Sequence, residues 1–163
     1  MKKYLALLLI LFTGCGTDLQ TKNWAAESLK NDRAYTVIPD IFEFRYAENI
    51  GVAFSFLTDL SDGLRLPLII SSVLLASLMI VYLAWKWRQL PFAQLLPLFL
   101  VLSGAMGNLI DRIINGYVID FLHFHYHYEY NFPIFNVADV LIFCGVVLMI
   151  FHYAKGRYAE API

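Results

Sequence analysis

The chain has 163 residues, of which 60% are hydrophobic and 16% aromatic but only 15% charged, and its formal net charge is −1. A soluble globular domain is about half apolar, so this composition and a mean hydropathy of +0.62 indicate an integral membrane protein. Because the charge is near neutral and Lys and Arg form no long run, we exclude nucleic-acid binding.

Four apolar segments predict membrane-spanning helices, at about residues 4–19, 66–87, 92–114 and 135–154. A helix needs about 20 apolar residues to cross a hydrocarbon core about 30 Å thick, and these segments come near that length. We find no internal repeat and no second domain. The predicted fold class is therefore an α-helical integral membrane protein, with residues 1–163 forming one domain of four transmembrane helices.

The first segment allows two interpretations. Lys2 and Lys3 precede a short apolar run that ends at Thr13-Gly14-Cys15, a pattern typical of a bacterial lipoprotein signal peptide. In such a peptide the cysteine is lipidated and the leader is removed. The same residues are also compatible with the first membrane helix of a protein that is never cleaved.

Basic residues flank all the segments on the same side, which the positive-inside rule assigns to the cytoplasm. They are Lys2, Lys3, Lys86, Arg88, Lys155 and Arg157. We therefore expect both termini in the cytoplasm. The long loop after the first helix and the shorter loop before the fourth helix then lie on the extracytoplasmic side.

These two loops are predicted to form a small extracytoplasmic β-sheet at the membrane surface. Residues at about 35–57 and 117–132 are rich in β-branched and aromatic types, with turn signals at Pro39-Asp40 and from Asn49 to Gly51. Asn49 has two possible roles. It can be a turn residue, or its side-chain amide can hold a substrate backbone, and composition alone does not decide between them.

Polar residues concentrate where the third and fourth helices reach the extracytoplasmic side. Asn108, Asp111 and Arg112 are spaced i, i+3 and i+4, so they share one stripe of the third helix. Asn136 and Asp139 share a stripe in the first turn of the fourth helix. Ionisable residues in a membrane helix are energetically costly and are functional candidates. The pattern predicts one polar pocket just below the extracytoplasmic surface.

Asp111, Asp120 and Asp139 are the candidate catalytic carboxylates. Two carboxylates in a partly dry site tend to share a proton, which provides a base and an acid together, as in aspartic proteases. Asp111 is followed directly by Arg112 and can be an ion-paired structural residue, so we favour Asp120 and Asp139. Spacing alone leaves open that both merely cap helices or pair with Arg112.

Two other function classes remain possible at this stage. His123, His125 and His127 alternate, so on a strand all three would project from one face and make a plausible zinc set for a metal-dependent enzyme. No HExxH motif accompanies them, and we expect neither a metal nor another cofactor. The second class is a small transporter or assembly factor whose buried acids relay protons or bind a cation.

Four motifs occur in order along the chain: DLQTK at 18–22, NIGVAF at 49–54, GAMGNLIDRIINGYVIDF at 104–121 and FNVAD at 135–139. Each is weak alone, but together with the four predicted helices they cover nearly the whole chain. In this combination the chain resembles the prolipoprotein signal peptidases, the type II signal peptidases of bacteria. One departure is Leu19, where that family commonly has Gln, which puts in doubt only an outer contact.

The resemblance implies a membrane aspartic endopeptidase that removes the signal peptide of diacylglyceryl-modified bacterial prolipoproteins, cleaving just before the lipidated cysteine. The family's catalytic aspartates match Asp120 and Asp139. The other motif positions are implied to bind substrate or to support the pocket. They are Asp18, Lys22, Asn49, Gly51, Asn108, Asp111, Arg112 and Asn136.

The resemblance also implies that the first helix is retained, because the family needs it, so we expect Cys15 to remain in an uncleaved helix. We expect a monomer in the bacterial cytoplasmic membrane whose partners are lipid-modified prolipoproteins and membrane lipids. The helix dipole favours a negative charge at the first-turn position of Asp139, which makes Asp139 the expected initial base.

Overall fold

The computed structural model describes residues 2–30, 34–51 and 62–158. Within these ranges the chain forms four helices that are long and apolar enough to cross a membrane. They are α1 (Lys2–Ser28), α2 (Asp62–Lys86), α3 (Phe92–Asn115) and α4 (Val137–Ala154). The predicted class of helical membrane protein with a small sheet is confirmed.

Helix α1 extends well beyond the predicted end near residue 19. It continues through Asp18 and Lys22, whose charged groups form an ion pair of 2.7 Å between Lys22 Nζ and Asp18 Oδ2. The two residues are one helical turn apart and both are buried. The apolar pattern therefore underestimates the length of α1, because the charged turn that extends the helix is buried inside the protein.

Helix α3 is the central helix and packs against α1, α2 and α4. The close approach of α3 and α4 depends on small residues, since a Cβ atom at Gly104 would collide with the carbonyl oxygen of Ala138. Helix α2 contacts α3 but leaves most of its apolar side chains exposed, including Leu75 and Leu78. This exposed surface is the one that lipid would cover.

An antiparallel sheet of four strands lies at one end of the helices. The strands are β1 (Tyr35–Ile38), β2 (Phe42–Asn49), β3 (Val118–Tyr126) and β4 (Tyr130–Asn131), paired in that order. The predicted β region at 35–57 is thus strand up to Asn49, and its residues 52–57 lie outside the described ranges.

Aromatic side chains attach the sheet to the C-terminal end of α1. Trp24 packs edge-on against Phe44 of β2 and Phe121 of β3, with ring centroids 5.4 Å and 6.3 Å apart. Ala25 and Leu29 are buried in the same cluster. The pairing of β2 with β3 places Asn49 opposite Val118, so the end of β2 lies beside the strand that carries Asp120.

The other end of the helices contains the N-terminus, the α2–α3 connection and the end of α4. Lys3 Nζ donates hydrogen bonds to the carbonyl oxygens of Arg88 and Leu90, and the Tyr158 hydroxyl donates to that of Gln94. The basic flanks recognised in the sequence therefore gather at the end of the bundle opposite the sheet.

Candidate active site

Asp120 lies on β3 and is 3% exposed. Each of its carboxylate oxygens accepts a hydrogen bond from an asparagine amide. Asn136 Nδ2 donates to Oδ1 at 2.6 Å, and Asn49 Nδ2 donates to Oδ2 at 3.0 Å. The three polar residues come from different parts of the chain, and only the folded sheet and helix α4 bring them together.

Asp139 lies in the first turn of α4 and is half-buried. Its Oδ1 accepts a hydrogen bond from Asn108 Nδ2 at 2.9 Å, and its Oδ2 accepts one from the backbone N–H of Asn136 at 3.1 Å. The side chain of Asn136 in turn accepts the N–H of Asp139 at 3.0 Å. This reciprocal pair is a capping box, which holds the Asp139 side chain against the start of the helix.

Asn136 therefore contacts both candidate aspartates. It is fully buried, its side-chain Nδ2 binds Asp120, and its backbone N–H binds Asp139. The same Nδ2 also lies 3.1 Å from Asn108 Oδ1. Both carboxylates are thus bound by one asparagine, and each accepts a hydrogen bond from one further side-chain amide.

Lys22 supports this arrangement from α1. Its Nζ lies 2.7 Å from Asp18 Oδ2, 3.0 Å from Asp111 Oδ2 and 2.9 Å from Asn108 Oδ1. An ammonium group has three N–H donors, so these contacts match its full capacity. Because Lys22 is 1% exposed, its charge depends on these partners for stabilisation.

The two acidic partners of Lys22 also bind the backbone beside each candidate aspartate. Asp18 Oδ1 accepts the N–H of Ala138 at 2.8 Å, and Asp111 Oδ2 accepts the N–H of Ile119 at 3.1 Å. Ala138 directly precedes Asp139, and Ile119 directly precedes Asp120. These two peptide groups could not be predicted from the sequence, because a backbone N–H leaves no signal in residue identity.

Arg112 and Gly51 fix the orientation of Asn49. Arg112 donates to the carbonyl oxygens of Asn108 and Gly51, both at 3.1 Å. The N–H of Gly51 donates to Asn49 Oδ1 at 3.1 Å, which leaves Asn49 Nδ2 facing Asp120. Arg112 thus holds the segment just after β2, next to Asn49. Asp111, which directly precedes Arg112 in the sequence, forms its ion pair with Lys22.

Every predicted site residue belongs to this single network of hydrogen bonds and ion pairs. The asparagine amides are occupied by carboxylates and by one another, so in this conformation they orient the acids instead of pointing to open space.

Burial raises the pKa of Asp120 to about 6. The hydrogen bond from Asn49 lowers it, the nearby Asp139 carboxylate raises it, and Asn136 and Lys22 lower it by smaller amounts. A carboxyl group that retains its proton to this pH can donate it to a reacting oxygen. Beside a second carboxylate, it forms a pair able to act as acid and base.

The histidines differ from the predicted arrangement. His123 and His125 lie on β3 and are both buried, as alternation predicts for one face of a strand. The prediction that His127 shares this face is wrong, because β3 ends at Tyr126 and His127 begins a turn with a φ of 49°. Its ring is exposed, 3.6 Å from Asp40.

Residues 9–155 match the sequence pattern of a protein family described as signal peptidase (SPase) II. Among curated proteins, the lipoprotein signal peptidase of Clostridium tetani is 39% identical over 148 residues, which are 91% of this chain and 92% of that protein. The lipoprotein signal peptidase of Pseudomonas putida is 35% identical over 160 residues, covering 98% and 90% of the two chains.

Two solved structures of a bacterial membrane enzyme share this fold. Both superpose with a TM-score of 0.81, at 27% and 29% sequence identity. The first alignment covers 95% of this chain and 91% of the solved one, and the second covers 92% and 93%. The similarity therefore includes the helices and the sheet together.

Proposed function

Because the chain belongs to the signal peptidase II family, we propose that Asp120 and Asp139 are the catalytic pair of a membrane endopeptidase that removes signal peptides from prolipoproteins. The observation that carries the assignment is Asn136, whose side-chain amide and backbone N–H bind one aspartate each. We further propose that the bond cleaved is the one just before the lipid-modified cysteine.

Asp139 acts as the initial base in the proposed mechanism. It is half-buried, where a water molecule can reach it, whereas Asp120 is 3% exposed and has a raised pKa. Asp139 takes a proton from water while the water oxygen forms a bond to the scissile carbonyl carbon. Asp120 donates its proton to the carbonyl oxygen, so the intermediate is a neutral gem-diol.

The second step breaks the peptide bond. Asp139 returns its proton to the amide nitrogen, the C–N bond breaks, and Asp120 recovers a proton from one hydroxyl of the gem-diol. The products are the carboxylic acid end of the leader and the free amine of the lipid-modified cysteine. The pair ends as it began, with one shared proton.

The other network residues are positioning residues in this proposal. Asn49 and Asn136 orient Asp120, and Asn108 orients Asp139. Lys22 holds Asn108, with Asp18 and Asp111 fixing the backbone before each aspartate. None of these steps requires a metal or another cofactor.

The protein is a membrane protein. We propose that it lies in the bacterial cytoplasmic membrane with both termini in the cytoplasm. The gathering of Lys3, Arg88 and the end of α4 at one end of the bundle supports cytoplasmic termini. The sheet and the aspartates then face the extracytoplasmic side. A substrate helix enters sideways from the lipid, and the protein acts as a monomer.

Cleavage of a purified diacylglyceryl-modified prolipoprotein in detergent tests this function. Wild type should shorten the substrate with chelator present, and Asp120→Asn and Asp139→Asn should each abolish turnover while remaining folded by gel filtration. If a folded variant keeps near-full activity, the assigned pair is wrong. If chelator stops wild type while both aspartate variants still cleave without chelator, a metal enzyme replaces the aspartic mechanism.

A further inference from the structure

A second cluster of buried polar side chains lies on the sheet, separate from the aspartate network. It consists of Glu43 on β2 and His123 and His125 on β3, which are 2%, 4% and 5% exposed. Each residue offers one ligand atom, and these atoms all lie within 4.8 Å of one another. None of the three takes part in the proposed reaction.

The strand register creates this cluster. Glu43 and His123 are direct partners across β2 and β3. His125 follows two residues later on β3 and therefore projects from the same face as His123. The sequence pattern of alternating histidines gave no indication of Glu43, because its position opposite His123 depends on how the two distant strands align.

The burial of the His125 ring nitrogens is not explained by contacts with the described residues. Among the described residues, neither ring nitrogen has a hydrogen-bond partner, although both are buried. The ring stacks on Tyr128 at a centroid distance of 3.9 Å and lies 5.1 Å from that of His123. Buried polar atoms are nearly always satisfied, so a pair of unsatisfied imidazole nitrogens indicates a missing ligand.

The remaining members already have the supports that metal ligands usually possess. His123 Nδ1 lies 2.9 Å from Glu43 Oε1, and the Tyr128 hydroxyl donates to Glu43 Oε2 at 3.0 Å. These two contacts orient the carboxylate on the sheet.

We propose that Glu43, His123 and His125 bind a Zn²⁺ ion. Two imidazole nitrogens and a carboxylate oxygen form a known zinc ligand set, with a water completing the tetrahedron. Three atoms no more than 4.8 Å apart share a centre at most about 2.8 Å from each, so small side-chain rotations reach zinc distances of about 2.0–2.2 Å.

The position of the site suggests what the ion would do. It would link β2 to β3, and these strands carry Asn49 and Asp120 of the catalytic network. His125 also lines a surface groove with Phe124, Tyr130 and other residues of the sheet, so the cluster lies next to the protein surface. In this position the ion stabilises the pairing of β2 with β3.

The test is zinc binding by the full-length protein, purified in detergent through a tag without histidine and stripped with chelator. Isothermal titration calorimetry and metal analysis should show one Zn²⁺ per wild-type chain and a higher Tm with zinc. His125→Phe retains the stacking on Tyr128 but removes both ring nitrogens, and it should bind zinc at least about tenfold more weakly.

His127→Asn is the matched control, because it removes an exposed histidine of the same segment and asparagine tolerates its positive φ. It should bind zinc as wild type does. Glu43→Gln provides a second loss variant should His125→Phe misfold. The proposal is overturned if wild type binds no zinc, or if the folded His125→Phe and Glu43→Gln variants bind as tightly as wild type. Peptidase activity is not used, so this outcome is independent of the proposed reaction.

Discussion

Lys22 donates to Asn108 across 2.9 Å, from the ammonium nitrogen to Oδ1 of the amide. Since Asn108 Oδ1 is thereby occupied, the amide nitrogen of the same side chain points to Asp139, also at 2.9 Å. A buried positive charge on α1 thus determines the orientation of an amide on α3, and this amide positions a carboxylate on α4.

Replacing this lysine should weaken both the fold and the site. Lys22→Met leaves Asp18 and Asp111 as buried carboxylates without their cation, and breaking a buried ion pair costs about 3–5 kcal/mol. We expect a lower Tm in detergent and little prolipoprotein cleavage. Lys30→Met is the control, because Lys30 forms an exposed pair with Glu48. Equal Tm values for the two variants would contradict the role of Lys22.

Asn136→Ala should reduce kcat far more than it changes KM. The substitution removes the amide that holds Asp120 and the side chain that accepts the N–H of Asp139. Misplacing reacting groups by about 1 Å costs about a hundredfold in rate, and we expect a loss of at least that size. Steady-state kinetics on a lipid-modified substrate measure both constants. Asn23→Ala, at an exposed position of α1, should retain wild-type values.

The pH dependence of kcat/KM should report the proton on Asp120. In the proposed mechanism Asp120 must be protonated, and its pKa is raised to about 6. It is therefore competent below this pH and loses its proton above it, so kcat/KM should fall as pH rises through about 6. Measurement of kcat/KM for the wild type at pH values below and above about 6 checks the direction of this change.

Asn49→Ala should move that decline to higher pH. Asn49 donates to Asp120 and lowers its pKa, so removing the donor lets the carboxyl retain its proton further. A general loss of activity would lower kcat/KM at every pH but leave the midpoint of its decline unchanged. A shifted midpoint therefore identifies the electrostatic effect. An unchanged midpoint in a variant that still cleaves would show that Asp120 is not the proton donor.

Gly104→Ala should separate α3 from α4 and destabilise the protein. The added methyl group would collide with the carbonyl oxygen of Ala138, a backbone atom that cannot rotate away. Overpacking of this kind typically costs about 1–3 kcal/mol, and here it also displaces the turn that carries Asp139. Gly16→Ala is the control, since no atom lies within 4 Å of a Cβ there. Thermal unfolding in detergent compares the two variants.

The sequence predicted the membrane class, the four helices and the two β regions, because long apolar runs and β-rich loops are local properties. It underestimated α1, since Asp18 and Lys22 interrupt the apolar run and only their burial against α3 and each other explains the longer helix. The positions of His123 and His125 followed from strand alternation, whereas the exclusion of His127 depended on where β3 ends.

The sequence by itself determined which residue types were available to the site, because residues that are costly in a membrane stand out in an apolar chain. Only the tertiary structure decided how they act together. The contacts of Asn136 with Asp120, of Asp18 with the N–H of Ala138 and of Glu43 with His123 join residues far apart in the chain. Hydrogen bonds depend on distance and direction at the scale of an ångström, and helix packing and strand register set those quantities.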